Sequence, residues 1–541
     1  MKAIHARYYP IFIFLISFCY FAISICIGFN IYDEAITLVG ANSIRNGLIP
    51  YKDFWTMYAP GQFYFIAILF SIFTPSLLVE RIFTILILSL FILSFYFLIK
   101  RYSSEIKAVI LSFILTIVLG YIQIYARSLP VALLLIIISI IYFSKFLNNN
   151  KLSSFFFCGI ITAITTLFRH DFGIYLVLSY SIVLIISFII KRKQKTSTIK
   201  AFLSQIALFY LGIVIILAPA IIYFIANVPV KELYSQLFEF QLNVFPEYRS
   251  LPKPIPFISM TGDTLASKIQ SIWFSLTYYI PLIIYILSII SIVIKIKEKN
   301  INNNNQNLLI TILLILLGLF LYNQALIRAD FEHLFPTLAI SLSLLAFFDS
   351  FFIKIKQKTI ISTLFILFLA IIPIPKKIFQ LAENFDKTKY VSLNSLQLNC
   401  VKIPSVIAID YQAIIDFIED NSGVGERIFI CNKSHEKILL NDLMLYFALN
   451  RQPSVKYYEL HPGLATTDSI QKQIIEELER KATYFIIIRK ENDEQDTSSI
   501  KNGVNTLDLY IQSHYKTILQ LINYDILIRK NSAIYEDITT Y

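Results

Sequence analysis

Gln62-Phe-Tyr-Phe-Ile-Ala-Ile-Leu-Phe-Ser-Ile-Phe73 decides how the whole chain is arranged. The stretch is apolar, but about 12 residues are too few to span a bilayer, which takes about 20 in a helix. Eleven longer apolar runs surround it, at 10–29, 82–99, 107–123, 129–147, 154–168, 172–190, 201–226, 271–294, 308–326, 334–353 and 359–375. Whether the short run crosses sets the side of every later loop. If it does not, Lys100-Arg101, the stretch from Lys145 to Lys151, and Lys191-Arg192-Lys193 share the side of Lys2 and Arg7. The clusters Lys295, Lys297, Lys299 and Lys354, Lys356, Lys358 join them. If it does cross, all of these fall on the opposite side. Basic loops stay in the cytoplasm, so 62–73 reads as an interfacial or re-entrant helix and the N-terminus as cytoplasmic. The run 10–29 has no small-residue cleavage site after it and reads as an uncleaved anchor.

Composition agrees with about 11 transmembrane helices. Of 541 residues, 56% are hydrophobic and 15% charged, with a mean hydropathy of +0.65. Soluble domains carry about 25% charged residues, so lipid must solvate most of this chain. The 46 Phe and 33 Tyr suit lipid-facing helices and interfacial belts. A net charge of +11 suggests nucleic acid until the basic residues are located, between apolar runs, where membrane topology demands them. Nucleic acid is therefore not an expected partner. Of the five cysteines, Cys19, Cys26 and Cys158 lie in apolar runs, while Cys400 and Cys431 lie in the tail and have no spacing motif. No Cys/His pattern reads as a zinc site.

The chain divides at about residue 375. Residues 1–375 form the membrane part, and an odd number of crossings leaves residues 376–541 extracytoplasmic. In that tail, strand-like runs at 427–431, 455–460, 484–488 and 524–528 alternate with helical stretches at 411–420, 436–449, 468–481 and 505–515. Such alternation predicts an α/β layered domain. No internal repeat is present, which counts against a transporter built from repeated halves.

On this topology the outer loops hold Asp33 and Glu34, Lys52 and Asp53, Glu80 and Arg81, and Arg127. They also hold Arg169-His170-Asp171, and Arg328 with Asp330, Glu332 and His333. Charged groups beside hydrocarbon are costly and mark function, so charges from five loops on one face imply a single polar site. Each piece also has a plainer reading. Asp33-Glu34 would be solvated loop after a helix end; Arg169-His170-Asp171, a tight hairpin closed by its own ion pair. Arg328 to His333 would be a capped helix start, and Arg81 a snorkelling side chain. A divalent metal on Asp330, Glu332 and His333 is chemically possible, but their spacing matches no firm pattern.

One region is more specific. Ile31-Tyr-Asp33-Glu34-Ala is followed by Asn46-Gly47-Leu-Ile-Pro50-Tyr51-Lys52-Asp53-Phe54 and then Tyr58-Ala-Pro60-Gly61-Gln62. This resembles the first outer loop of the GT-C superfamily of membrane glycosyltransferases, in particular the protein O-mannosyltransferase and aminoarabinose lipid A transferase group. That group has an acidic residue or Asp-Glu pair after the first helix, then a Gly-x-x-Pro-Tyr-x-Asp element and a Pro-containing short helix. Phe168-Arg169-His170-Asp171-Phe172-Gly173 and Arg328-Ala-Asp330-Phe-Glu332-His333-Leu-Phe-Pro336 look like polar elements of its bacterial members. Many relatives place an Asp a few residues after the Arg of the second outer loop. Here Tyr125-Ala-Arg127-Ser128-Leu-Pro130 has none.

The resemblance implies a GT-C-like fold and an inverting transfer of a sugar from a polyprenyl-phosphate donor to a glycan, lipid or protein acceptor outside the cytoplasm. It places the protein in the cell (inner) membrane. Asp33 is then the first choice for the base that takes the acceptor's proton, with Glu34 as alternate. Arg328, Arg169 and Lys52 are candidates for the phosphate, with Arg81 and Arg127 behind them. His170 or His333 would orient it, and Asp53, Asp171 and Asp330 complete the substrate-binding set. Three other readings compete: a transporter or flippase of lipid-linked sugars, a receptor or scaffold whose working part is the tail and which would leave the outer-loop charges unexplained, and, nearer in kind, a surface-polysaccharide ligase or polymerase. A transporter should carry charges along mid-helix. A ligase should have a large outer loop with Arg and His, and 227–270 has no His.

Overall fold

The computed structural model describes residues 8–258, 264–297, 305–350, 358–399, 401–423, 425–436, 440–461, 463–490 and 503–530. It is mostly helical, with a small C-terminal sheet domain. Seven helices are long and apolar enough to cross a bilayer: Leu77–Tyr102, Ser128–Asn149, His170–Lys193, Ile199–Asn227, Leu265–Ile294, Gln306–Ile327 and Leu364–Phe385. The other expected crossings are shorter helices, Tyr9–Ala22, Glu105–Leu119, Leu152–Phe168 and Phe331–Leu344. The run at 62–73 is the 12-residue helix Gly61–Ile72.

Local chemistry sets the helix ends. Ser76, Ser104 and Thr198 are N-caps whose hydroxyls accept from the amides of Val79, Lys107 and Ala201 at 3.4, 3.3 and 3.2 Å. Asn150, in the left-handed region at φ 49°, turns the chain from one helix into the next. Several of the basic loops meet at one end of the bundle. There Lys191 donates to Asn150 Oδ1 at 3.0 Å, and Gln306 to the Leu147 carbonyl at 3.1 Å.

The C-terminal domain carries a five-stranded mixed sheet. β1 (Tyr390–Ser392) and β2 (Lys402–Pro404) form a separate antiparallel pair. The main sheet has the order β4-β3-β5-β7-β6, from β3 (Arg427–Asn432), β4 (Gln452–Pro453), β5 (Phe485–Arg489), β6 (Tyr515–Gln520) and β7 (Tyr524–Arg529). β3 runs parallel to β4 and β5, while β7 is antiparallel to both β5 and β6. The buried runs of β3 and β5 are Ile- and Phe-rich, as central parallel strands require.

Two details of the tail depart from expectation. The stretch 455–460 is no strand, because its main chain is engaged elsewhere. Trp55 N–H donates to the Lys456 carbonyl at 3.0 Å, and the Asn441 side chain to that of Tyr458 at 2.8 Å. Only Met444–Ala448 of the expected helix 436–449 is helical among the described residues. Of the cysteines, Cys431 is buried and free, and Cys400 lies outside the described residues.

The helix Asp33–Arg45 buries ten residues, from Glu34 to Ser43. Its Ala35, Leu38 and Val39, with Phe63 and Phe70 of the next helix, belong to the same hydrophobic core as Ile430, Phe447 and Ile486 of the sheet domain. The first loop and the C-terminal domain thus share one core. The bundle has another, built from residues such as Phe91, Ile137 and Leu338.

Candidate active site

Asp33 and Glu34 open the helix Asp33–Arg45, where acids favour the positive end of the helix dipole. The Asn30 side chain accepts from the amides of Tyr32 and Asp33, at 2.9 and 2.7 Å, and fixes the entry of the chain. A helical step of one residue sends the two carboxylates in different directions. Glu34 is 0% exposed and forms a two-point ion pair with Arg81, Nε to Oε1 at 2.8 Å and Nη2 to Oε2 at 2.9 Å. Arg81, 1% exposed, also donates to the carbonyls of Ile25 and Gly28, each at 2.8 Å. Its charge is buried and fully partnered and does not snorkel. Asp33 instead is exposed to a cavity of about 690 Å³.

That cavity lies where the helix ends converge, opposite the Lys191 end. Its wall takes four acids (Asp33, Asp171, Asp330, Glu332) and four arginines (Arg127, Arg169, Arg249, Arg328), with His170, His333 and His461. Three of the acids are spent on arginines. Arg169 meets Asp171 through two hydrogen bonds, at 3.0 and 2.7 Å. Arg328 Nε meets Asp330 Oδ2 at 2.8 Å, and its Nη1 donates to the Arg249 carbonyl at 2.7 Å. Arg127 pairs with Glu332 and lies 3.8 Å from the Tyr125 ring centre. Asp33 enters no ion pair among the described residues; the Tyr125 hydroxyl approaches its Oδ2 at 3.4 Å.

Asp330 does double duty. It caps the helix Phe331–Leu344 by accepting from the His333 amide at 2.9 Å, and it holds His333 Nδ1 at 2.7 Å. Burial alone would raise the Asp330 carboxyl, but the His333 hydrogen bonds and the Arg328 charge hold it well below the usual carboxylate range. Both plainer readings of these loops are therefore physically present: a capped helix start and a hairpin closed by its own ion pair. The same pairs also fix guanidinium groups at the cavity wall. Among the described residues no group of three His, Cys, Asp or Glu is placed to hold a metal.

Lys52 and Asp53 stand apart from this cavity. Lys52 is exposed, and Asp53 accepts from the Ile49 amide at 2.7 Å, closing the turn that holds Tyr51 at φ 70°. That turn packs the fully buried Tyr51 ring on Phe224 at 5.4 Å.

Two residues of the cavity wall, Arg249 and His461, and the nearby Glu459 were not singled out as site residues from sequence. Arg249 comes from the strap after the helix Ile199–Asn227, a strap that also supplies Phe238, Gln241 and Phe245. His461 comes from the C-terminal domain and packs on Trp55, Phe240 and Phe245 at 5.8, 5.0 and 6.1 Å. Glu459, 1% exposed beside it, is held by its carbonyl, which accepts from the Tyr32 hydroxyl at 3.1 Å. Burial above all, and the nearby Asp33 charge, push its carboxyl well above the usual range. No local motif marks these residues; only the tertiary fold brings them near Asp33.

Comparison with known proteins points the same way as the loop motifs. Residues 58–223 match the family model of dolichyl-phosphate-mannose-protein mannosyltransferases, one of the two groups to which those motifs led. No curated protein matches the chain. Among solved structures, ArnT from Cupriavidus metallidurans bound to undecaprenyl phosphate aligns at 10% identity over 98% of each chain, with a TM-score of 0.46. Its apo state aligns at 10% identity over 97% of this chain and 98% of that one, at 0.47.

Proposed function

We propose that this chain is an inverting glycosyltransferase of the GT-C kind that uses a polyprenyl-phosphate sugar on the extracytoplasmic side of the membrane. The observation that carries the reading is that Asp33, a carboxylate with no ion pair among the described residues, shares a 690 Å³ cavity where helix ends converge with arginines fixed at its wall. The family whose model matches is described by a dolichyl-phosphate-linked sugar, which supports the donor class. The sidedness rests on the basic loops.

Asp33 accepts the proton of the acceptor hydroxyl or amine as that atom attacks the anomeric carbon. The bond from that carbon to the phosphate oxygen breaks, and the lipid phosphate leaves as an anion. It needs cations more than a proton donor, and Arg127, Arg169 and Arg328 supply them preorganised, since their carboxylate partners already hold them in place. A base opposite the leaving group gives inversion, by analogy with single-displacement glycoside chemistry. Glu34 is not the base in this reading; with Arg81 it holds the helix that presents Asp33. Lys52 and Asp53 shape the neighbouring turn.

The test is sugar transfer, or donor hydrolysis, by purified protein in lipid with a panel of polyprenyl-phosphate sugars. Asp33→Asn should lower turnover by on the order of 10² to 10⁴, the usual worth of a general base, with melting unchanged. Donor binding without turnover, unaltered by Asp33→Asn, would instead favour a transporter of lipid-linked sugars.

A further inference from the structure

The C-terminal domain exposes large apolar side chains along one edge. Leu396, between β1 and β2, is 62% exposed, and Val406 and Ile409, in the first turns of the helix Ser405–Asn421, are 57% and 61% exposed. A domain surrounded by water has no reason to gather them there.

Their position is set by hydrogen bonds to the ends of membrane helices. The Gln397 carbonyl, next to Leu396, accepts from the amide of Leu77, where the helix Leu77–Tyr102 begins, at 2.9 Å. Lys402 N–H donates to the Cys26 carbonyl at 2.7 Å, and Gly28 N–H to that of Lys402 at 2.8 Å, just past the helix Tyr9–Ala22. The Tyr411 ring lies 5.2 Å from that of Phe29. Asn384 donates to the Ile23 carbonyl at 2.7 Å, which levels Phe385, 77% exposed, with the same helix end. All these apolar groups therefore lie level with the ends of helices expected to cross the membrane.

The helix Ser405–Asn421 changes character along its exposed side. Val406 and Ile409 come first, then Asp416, Glu419 and Asp420 farther along. Exposed Lys387 and Lys389 flank the apolar edge, as snorkelling cations do at a membrane surface. Ile72 and Phe73, exposed as well, come just before the Leu77 amide that holds the Gln397 carbonyl.

We propose that this edge is sunk in the bilayer interface, with Leu396, Val406 and Ile409 in contact with lipid. The domain is then held at a fixed height, independent of what the cavity does chemically, and 455–461 is kept over the cavity mouth.

The test introduces one tryptophan at a time, Leu396→Trp, Ile409→Trp or Asp416→Trp, in nanodiscs of phosphatidylethanolamine and phosphatidylglycerol with brominated acyl chains. The two native tryptophans, Trp55 and Trp273, are buried and give the background to subtract. All three positions are exposed, so each variant should melt like the wild type. Bromolipid should quench the added emission at 396 and 409 and spare it at 416. Equal emission with and without bromine at 396 and 409 would overturn the proposal. A blue shift at 409 that no bromine quenches, and that needs two copies per disc, would overturn it in favour of a second protein chain.

Discussion

Asp33 and Glu34 share a helix turn and an acid, and their surroundings separate them. Glu34 and Arg81 exchange two hydrogen bonds out of contact with water, and the spare Arg81 donors are taken by the Ile25 and Gly28 carbonyls. Removing one partner from a buried pair leaves the other charge uncompensated, which costs about 3–5 kcal/mol. Glu34→Gln should therefore lower the melting temperature strongly, while Glu34→Gln combined with Arg81→Met should recover much of the loss. Asp33→Asn should leave melting unchanged, because no ion pair among the described residues depends on it. Thermal unfolding of the variants in one lipid system checks this, and equal destabilisation by Asp33→Asn and Glu34→Gln would contradict it.

Among the elements, the helices Leu152–Phe168 and Ile199–Asn227 cross at Gly159 and Gly212. A Cβ on Gly159 would meet the Phe209 carbonyl oxygen at 2.1 Å, and one on Gly212 the Phe156 carbonyl oxygen at 2.5 Å. The obstacles are backbone, so the helices would have to part, as at small-residue contacts between membrane helices generally. Gly212→Ala should cost about 1–3 kcal/mol, the usual penalty of overpacking. Gly423→Ala, with nothing nearer than 3.6 Å, is the control, and melting of the two variants against the wild type decides. This contact also shows what a single chain reveals. Apolar runs locate the long helices because lipid demands length and hydrophobicity together. The helix Asp33–Arg45 escapes that reading, since it is buried against a domain more than 330 residues later in the chain. The segment 455–460 looked like a strand because it is apolar and aromatic, but its carbonyls serve Trp55 and Tyr32 in place of a sheet neighbour. Topology puts Arg127, Arg169, Arg328 and, in the outer loop 227–270, Arg249 on one side, whereas His461 reaches the cavity only through the docking of the C-terminal domain.

For the molecule as a whole, the shared core means that the C-terminal domain and the first loop fold against each other. Phe70, 2% exposed, stacks on Phe447 of the domain with ring centres 5.8 Å apart. The Met444 amide donates to the Ile31 carbonyl at 3.1 Å, and Lys456 pairs with Glu232 of the strap at 3.0 Å. Most links between domain and bundle therefore run through segments adjoining Asp33 or through the strap that covers the cavity. Phe70→Ala removes a ring from this junction without touching the domain's own sequence. Burying such a ring is worth about 3–5 kcal/mol, and each 1.4 kcal/mol is tenfold in an opening equilibrium. Amide exchange at 444–448 and 455–461 should then speed up by on the order of 10² or more, while the helix Ser128–Asn149 keeps its protection. Transfer activity should fall with it, because His461 reaches the cavity only when the domain is docked. If exchange at 455–461 stayed slow after Phe70→Ala, the junction would be held by the hydrogen bonds and the Lys456 pair alone. The apolar core shared by the first loop and the sheet would then have no part in assembling the site.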